Sequence, residues 1–291
     1  QDNRLIIAQR LAVLNGDSSG TVDEFGYPIG YGKNNQAVLI PSFLSAYSGK
    51  NAENISLNAI TDNPLPNWSI NYSGLINIDF FKERFKKFSL GHAYRSSYTL
   101  NNFKSNLEYN PSNTQLTDDS GNYINEFLYT NINLVEQFNP LLKIDMELNN
   151  SLQIVMSLKK DRALSLSLDN NLLTESNGTD YSIGLGYRIK DLKFTNRVGG
   201  KRRVSKGDLN IKTDLNFRDN ITIIRNLNIE DNKVTAGQKM WSLKTSADYN
   251  LSKSFNAIFF YDHLFSKFAI STAFPMTTIR AGMTLRYNFG E

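Results

Sequence analysis

Residues 277–289 read Thr-Thr-Ile-Arg-Ala-Gly-Met-Thr-Leu-Arg-Tyr-Asn-Phe, and their parity decides the fold. Ile279, Ala281, Met283, Leu285, Tyr287 and Phe289 fall on one side of an extended chain. Arg280, Thr284, Arg286 and Asn288 fall on the other. Successive side chains of a strand point to opposite faces, so this run makes a ribbon with one apolar and one charged side.

The same period recurs upstream as far as Trp68. Leu142, Ile144, Met146 and Leu148 alternate with Lys143, Asp145 and Glu147, and after Asn149-Asn150 come Leu152, Ile154, Met156 and Leu158. Leu164, Leu166 and Leu168 continue the pattern, then Tyr181, Ile183, Leu185 and Tyr187. Leu209, Ile211, Leu215 and Phe217 oppose Lys212 and Asp214, with a turn expected at Asp219-Asn220. Trp241, Leu243, Ala247, Tyr249 and Leu251 oppose Lys244 and Asp248, and a Ser252-Lys253-Ser254 turn leads to Phe255, Ala257, Phe259 and Tyr261. The count is about 12 strands of about 9 to 12 residues over 68–291, the length of a tilted strand crossing a bilayer.

A soluble β-sandwich also alternates. Three features favour an all-β, transmembrane antiparallel β-barrel. The strands exceed the usual 5 or 6 residues of soluble sheets. The polar parity carries full charges of both signs, as a water-filled lumen does: Lys143, Asp145, Glu147, Lys212, Asp214, Lys244, Asp248, Arg280 and Arg286 are the expected lumen-facing residues. Ile144, Met156, Leu166, Ile211 and Leu243 are the matching lipid-facing expectation. Aromatics gather on the apolar parity beside the expected turns, so Phe217, Tyr249, Phe255, Tyr287 and Phe289 are the expected membrane-interface residues.

Composition agrees without deciding. Of 291 residues 40% are apolar, so the chain is not compositionally disordered, and the absence of cysteine excludes disulfides and thiolate metal sites. The net charge of +4 is spread along the chain and makes no basic face for nucleic acid. No run approaches the roughly 18 apolar residues of a membrane-spanning helix, which a strand-built membrane protein does not need. The opening Gln-Asp-Asn-Arg has no basic start followed by an apolar stretch, so the expectation is a mature or internal piece of an outer-membrane protein. Counted back from a periplasmic C-terminus, 219–220 and 252–254 are periplasmic turns, and 191–207, 230–238 and 264–275 are outer loops. The rule weakens upstream, where 109–125 and 171–179 become long periplasmic loops.

Residues 1–67 differ. Leu5 to Leu14 reads as a short helix and Ala37 to Tyr47 as a second apolar element interrupted by Pro41. The expectation is a partly helical plug, lumen insertion or periplasmic excursion.

Candidate chemistry is sparse. Gly30-Tyr31-Gly32-Lys33 lacks the spacing and the Ser/Thr of a phosphate loop, and a tight turn is the plain alternative. The only histidines are His92 and His263. Ser96 shares the face of His92 but lies about 13 Å along the strand, and Ser89 is on the other face, so no serine near in sequence is within reach of a base. Two distant histidines make a poor metal site, and no cofactor is expected. Lys201, Arg202, Arg203 and Lys206 form a basic run that reads as solvated or as a contact for lipopolysaccharide phosphates.

Several stretches carry a resemblance: Gly26-Tyr27-Pro28-Ile29-Gly30, Asn35-Gln36-Ala37-Val38-Leu39, Phe43-Leu44-Ser45-Ala46-Tyr47-Ser48-Gly49 and Pro64-Leu65-Pro66-Asn67-Trp68. Tyr94-Arg95-Ser96-Ser97-Tyr98, Val135-Glu136-Gln137-Phe138-Asn139-Pro140, Lys160-Asp161-Arg162 and Asp169-Asn170-Asn171-Leu172-Leu173-Thr174-Glu175 follow. Ser271-Thr272-Ala273-Phe274-Pro275-Met276-Thr277 and Leu285-Arg286-Tyr287-Asn288-Phe289-Gly290 end the set. Together they resemble the C-terminal region of the SprA/Sov family, outer-membrane translocons of the type 9 secretion system in Bacteroidota. The resemblance is weakest over 191–207. It implies the C-terminal part of a very large barrel whose other strands lie N-terminal to this chain. It further implies a protein-conducting pore for folded cargo, without enzymatic activity, working with a PorV-type shuttle barrel and a periplasmic plug protein. No residue-level site carries over. The alternative from the residues alone is a self-contained barrel of about 12 strands serving as a small-solute porin or an outer-membrane hydrolase.

Overall fold

The computed structural model describes residues 2–16, 20–60, 66–198, 201–250, 255–270, 274–287 and 289. Two helices come first, α1 (Asp2–Leu14) and α2 (Gln36–Ser48). Asn35 caps α2 by accepting the Ala37 N–H at 2.8 Å, and Gly49 ends it in the left-handed region at φ 73°. Pro41 does not interrupt this helix. It forfeits one bond to the Ala37 carbonyl, while Val38, Leu39, Ile40, Phe43 and Leu44 are all buried around it. That burial, at about 1.5–3 kcal/mol per large side chain, outweighs the lost bond.

The strands follow: β1 (Trp68–Tyr72), β2 (Phe85–Asn101), β3 (Lys104–Ser105), β4 (Phe127–Leu128), β5 (Asn131–Leu148), β6 (Leu152–Ser167), β7 (Leu172–Val198), β8 (Lys201–Asn226), β9 (Asp231–Asn250), β10 (Phe255–Phe268) and β11 (Met276–Tyr287). A 3₁₀ turn (Gly74–Asn77) and α3 (Asp79–Lys82) stand between β1 and β2, although Trp68, Ile70, Tyr72, Ile76, Ile78 and Phe80 share one parity in the sequence and predict continuous strand there. Among the described residues nine strands form one antiparallel sheet in the order β1-β2-β5-β6-β7-β8-β9-β10-β11, and β3 pairs only with β4. Within that set β1 and β11 each have a partner on one side only, so the sheet is open.

The sheet holds fewer and longer strands than the predicted 12. The turn expected at Asp219-Asn220 is absent: β8 runs through it, with Asp219 opposite Thr179 and Lys239. The loops expected at 171–179, 191–207 and 230–238 are mostly strand as well, so β7 and β8 reach 27 and 26 residues. One false turn inverts the assigned end of every connection before it. With it removed, β5, β7 and β9 end at the same end of the sheet as β11, and β2, β6, β8 and β10 end at the other. The anomalous long loops therefore move to the end where long connections were expected. The turn 251–254 itself, Asn288, Gly290 and Glu291 lie outside the described residues.

Helices α1 and α2 pack on one face of the sheet near the end of the long connections. Ile7, Ala8, Leu11, Leu39, Ile40, Phe43 and Leu44 share a core with Ile132 and Leu134 of β5, Leu164 and Leu166 of β6 and Leu173 of β7. Arg10 fastens the following segment by donating to the Ile55 carbonyl at 3.0 Å. Strand β5 bulges between Phe138 and Leu142, which places Pro140, lacking an N–H, outside the regular ladder.

Candidate functional site: an apolar band between two aromatic rows

Directly paired residues of neighbouring strands share a face, so the register assigns every side chain of the sheet to one of two sides. Met146–Ile154–Leu185–Thr213–Thr245–Tyr261–Ala281 is one row across seven strands, and Ile144–Met156–Ile183–Leu215–Leu243–His263–Ile279 is the next. The side chains of this band are largely uncovered: Ile183 is 41% exposed, Leu215 43%, Phe259 50% and Met283 53%. A continuous exposed apolar surface of this kind marks a contact with another apolar phase or partner.

Aromatics border the band on both sides. Toward the end of the long connections stand Trp68, Tyr94 and Phe138, with successive ring centroids 4.5 and 4.8 Å apart. Tyr181 and Phe217 (6.1 Å) and Trp241 and Phe265 (6.2 Å) extend this row along β7 to β10. Toward the other end stand Phe81 and Phe88 (4.7 Å), Tyr187, Tyr249, and Phe255 with Tyr287 (6.3 Å). Of the five aromatics singled out from sequence, Phe217 thus belongs to the far border, in mid-strand rather than beside a turn. Tyr249 is 9% exposed, and its hydroxyl donates to the Leu192 carbonyl at 3.1 Å, so it is packed within the near border. Phe289 meets Tyr287 edge-on, with ring centroids 4.7 Å apart. Trp241 to Tyr249 spans about 26 Å along β9 at roughly 3.3 Å per residue. At a strand tilt of about 40° that is about 20 Å of height, and Phe255 to Phe265 gives about 25 Å.

The opposite face carries mostly polar side chains over the same height, interrupted by apolar ones such as Val155, Ile258, Phe260 and Leu264. Lys143, Asp145, Glu147, Lys212, Asp214, Lys244, Asp248, Arg280 and Arg286 all lie on it by register. Charges of opposite sign neighbour one another there: Lys87–Asp145 at 2.8 Å, Arg188–Asp208 at 2.5 Å and Arg280–Asp262 at 2.7 Å. Such exposed pairs add little stability; their effect is to leave this face without a large field of one sign.

Beyond the far aromatic row the apolar face itself turns polar. Glu136 with Arg162, Glu175 with Arg225 (2.8 Å) and Asp219 with Lys239 (3.1 Å) form an ionic belt across five strands. Arg162 donates Nε to Glu136 at 2.9 Å and an Nη to the Tyr47 carbonyl at 3.2 Å, with its guanidinium 5.5 Å from the Tyr47 ring centroid. Burial pushes the Tyr47 hydroxyl up, Glu175 adds to the rise, and Arg225 and Arg162 oppose it. The belt therefore latches the helices to the sheet. Leu166, expected in the apolar band, instead lies beyond the belt in the helix-covered core, 1% exposed. The helices themselves sit on the apolar face, away from the polar face that a lumen plug would occupy.

The other sequence candidates resolve into local structure. Gly32 donates its N–H to Asn122 at 3.0 Å, Gly30 sits against the Tyr123 ring, and Lys33 Nζ lies 4.3 Å over the Phe25 ring, which makes a loop anchor of this glycine pair. His92 Nδ1 is 2.6 Å from the Leu141 carbonyl, and Ser96 lies two cross-strand rows away, opposite Glu136. His263 packs 4.5 Å from Trp241. Among the described residues no three His, Asp or Glu side chains gather as a metal site, and no helix is long and apolar enough to cross a membrane. The side chains of 201–205 lie outside the described set, so the basic run is not placed.

Sequence reading missed the ionic belt, whose signal was present as charged residues on the apolar parity: Glu136, Arg162, Glu175, Asp219 and Lys239. The chain matches no protein-family model and no curated protein.

Proposed function

We propose that this chain is part of the wall of a transmembrane β-barrel in the outer membrane of a Gram-negative bacterium, within a channel that exports folded proteins. The supporting observation is the apolar band: exposed, about 26–33 Å long along its strands, bordered by aromatics on both sides, and backed by a face of mixed charge. Lipid on one face and water on the other account for that pairing, and a soluble sandwich would bury the band. Mixed charge with Asn, Ser and Thr wets passing cargo without holding it.

The open edges favour a segment of a larger barrel over a self-contained one. All of the 12 residues of β11 are exposed, and its outer edge has no partner among the described residues. In hydrocarbon each unpaired backbone group costs several kcal/mol, so the sheet pairs with further strands. The resemblance to SprA/Sov favours, for that barrel, a type 9 secretion translocon of Bacteroidota, with a PorV-type shuttle barrel, a periplasmic plug protein and secreted cargo as the proposed partners and no enzymatic reaction. With the C-terminus periplasmic, the helices of residues 1–60 stand outside the wall at the outer-leaflet surface, level with lipid and lipopolysaccharide headgroups.

The test is expression of residues 1–291 behind a signal peptide. A wall segment leaves no closed barrel and no heat-modifiable band on electrophoresis. Recovery of a stable, closed small barrel would favour the self-contained porin or hydrolase instead.

A further inference from the structure

One row beyond the far aromatics, on the same face, the register reads Phe138–Lys160–Thr179–Asp219–Lys239–Lys267 from β5 to β10. Lys160, Thr179, Asp219, Lys239 and Lys267 stand two residues from Leu158, Tyr181, Phe217, Trp241 and Phe265 in turn, about 7 Å along each strand. All three lysines are exposed.

The charges of this row do not cancel. Lys239 has Asp219 at 3.1 Å, but Lys267 lies directly opposite Lys239 on the next strand, and like charges so placed repel. Neither Lys160 nor Lys267 enters an ion pair among the described residues, while the nearby Glu136 and Glu175 are held by Arg162 and Arg225. The ionic belt is therefore left with two uncompensated positive charges, four strands apart, or roughly 19 Å at about 4.8 Å per strand. A cavity of 380 Å³ opens beside Lys160, between Phe138, Arg162, Asn177 and Thr179. Two carboxylate residues also line it. Glu136 accepts the Arg162 Nε at 2.9 Å, and a Cβ on Gly178, pointing to the polar face, would stand 2.5 Å from Asp161 Oδ1, so the Asp161 carboxylate lies on that other face. The near border has no counterpart: the row Ile189–Leu209–Tyr249–Ala257–Leu285, and Leu192–Gly207 and Phe255–Tyr287 one step out, hold no charge.

We propose that this lysine row binds lipid phosphate, namely the phosphates of lipopolysaccharide lipid A in the outer leaflet. The inference rests on the barrel-wall reading, which sets this face against lipid and this border outward. Lysine stems can lie along the aromatic row and lift their ammonium groups to headgroup level. A phosphate between Lys239 and Lys267 turns their repulsion into two attractions, and a second reaches Lys160 from its cavity. Only one border carries the lysines, which fits a membrane whose two leaflets differ in headgroup charge. Acidic groups of a passing cargo would meet the other face of the sheet. The basic run at 201–206 is a different feature, at the opposite end of the sheet where β7 ends.

The test is titration of the full-length protein, in neutral detergent, with lipid A and with dephosphorylated lipid A, read by native mass spectrometry. Lipid A is expected to bind saturably and the dephosphorylated form far more weakly. A lysine beside an anionic surface is worth about fivefold, so Lys160→Gln with Lys267→Gln should weaken lipid A about 25-fold. Lys244→Gln, on the polar face, should leave it within about twofold. These lysines are exposed and the substitutions conserve size, and Lys267→Gln alone, with about a fivefold loss, serves should the double variant fail to fold. Equal binding of the two lipids, lysine variants without effect, or displacement of lipid A by inorganic phosphate at equal concentration would each overturn the proposal. A cysteine at Leu215 in phosphatidylcholine vesicles separates the two readings. Lost phosphate preference with Leu215→Cys still protected from a membrane-impermeant thiol reagent overturns the lysine site alone, and a labelled cysteine overturns the barrel wall with it.

Discussion

Replacing Ile183 by arginine separates a lipid-facing band from a merely exposed sheet face. Ile183 lies between Met156 and Leu215, 41% exposed, on the row next to the far aromatic border. Along β7 it is about 7 Å from Tyr181 and about 13 Å from Tyr187 at roughly 3.3 Å per residue. A tilt of about 40° brings those depths to about 5 and 10 Å. An arginine there reaches toward the nearer border, which places its cost near the lower end of the about 2–4 kcal/mol for a mid-bilayer cation. About 2 kcal/mol is roughly a 30-fold loss in the folding equilibrium. Ser182→Arg is the control: one residue away, it enters the polar face beside Ser157 and Asn216 and should cost under about 0.5 kcal/mol. The assay is urea unfolding of the full-length barrel in lipid vesicles, with midpoint and slope fitted for each variant. Equal midpoints for the two variants, or a larger loss for Ser182→Arg, would refute the assignment of faces. In a water-exposed sheet Ile183→Arg costs nothing measurable, so the sign of the difference distinguishes lipid from water at this face.

Three further outcomes are expected. Cysteines at Lys212, Asp214 and Lys244 should react with a membrane-impermeant thiol reagent in intact outer membranes while cysteines at Ile211, Leu215 and Leu243 stay protected; the inverse labelling would reverse the two faces. Tyr47→Ala removes the ring beneath Arg162 and should loosen the helices, seen as faster proteolysis within 49–60, with a coupling to Arg162→Ala of about 1 kcal/mol in a double-mutant cycle. A Cβ on Gly207 would stand 1.8 Å from the Asn250 carbonyl oxygen, so Gly207→Ala should cost about 1–3 kcal/mol, whereas Gly186→Ala, whose nearest neighbour is the mobile end of Gln153 at 3.3 Å, should be mild in the same unfolding assay.

Alternation made the band legible because its two faces differ in polarity. Leu142 to Leu148, Tyr181 to Tyr187 and Ile279 to Tyr287 are strand in the structure with the expected parity. Alternation fails where both faces are polar. Glu175, Asn177 and Thr179 on the apolar parity read as loop, yet they pair with Leu164, Arg162 and Lys160 and with Ile223, Ile221 and Asp219. Hydrogen bonding along the ladder continues there without any pattern in hydrophobicity to announce it. Asp219-Asn220 is the same error in miniature: two residues of turn type in the middle of β8. The packing of α2 against Leu134 and Leu166 was illegible for a different reason. A buried core and an exposed apolar band use the same side chains, and only tertiary contact tells them apart.

The length of the β7–β8 hairpin bears on mechanical load. Its ladder pairs Leu172 with Asn226 at one end and Val198 with Lys201 at the other, broken only by the bulge between Ile189 and Leu192. The hydrogen bonds of an antiparallel ladder run across the strands. A pull along the strands therefore acts in shear, and every bond in the ladder carries it at once. A pull across the strands loads the bonds singly, from the weakest point outward. In this hairpin that point is the bulge, which the Tyr249 hydroxyl bridges from the next strand but one through the Leu192 carbonyl. The hairpin therefore resists a pull along its strands better than one across them, and the Leu192 carbonyl marks where it would first open.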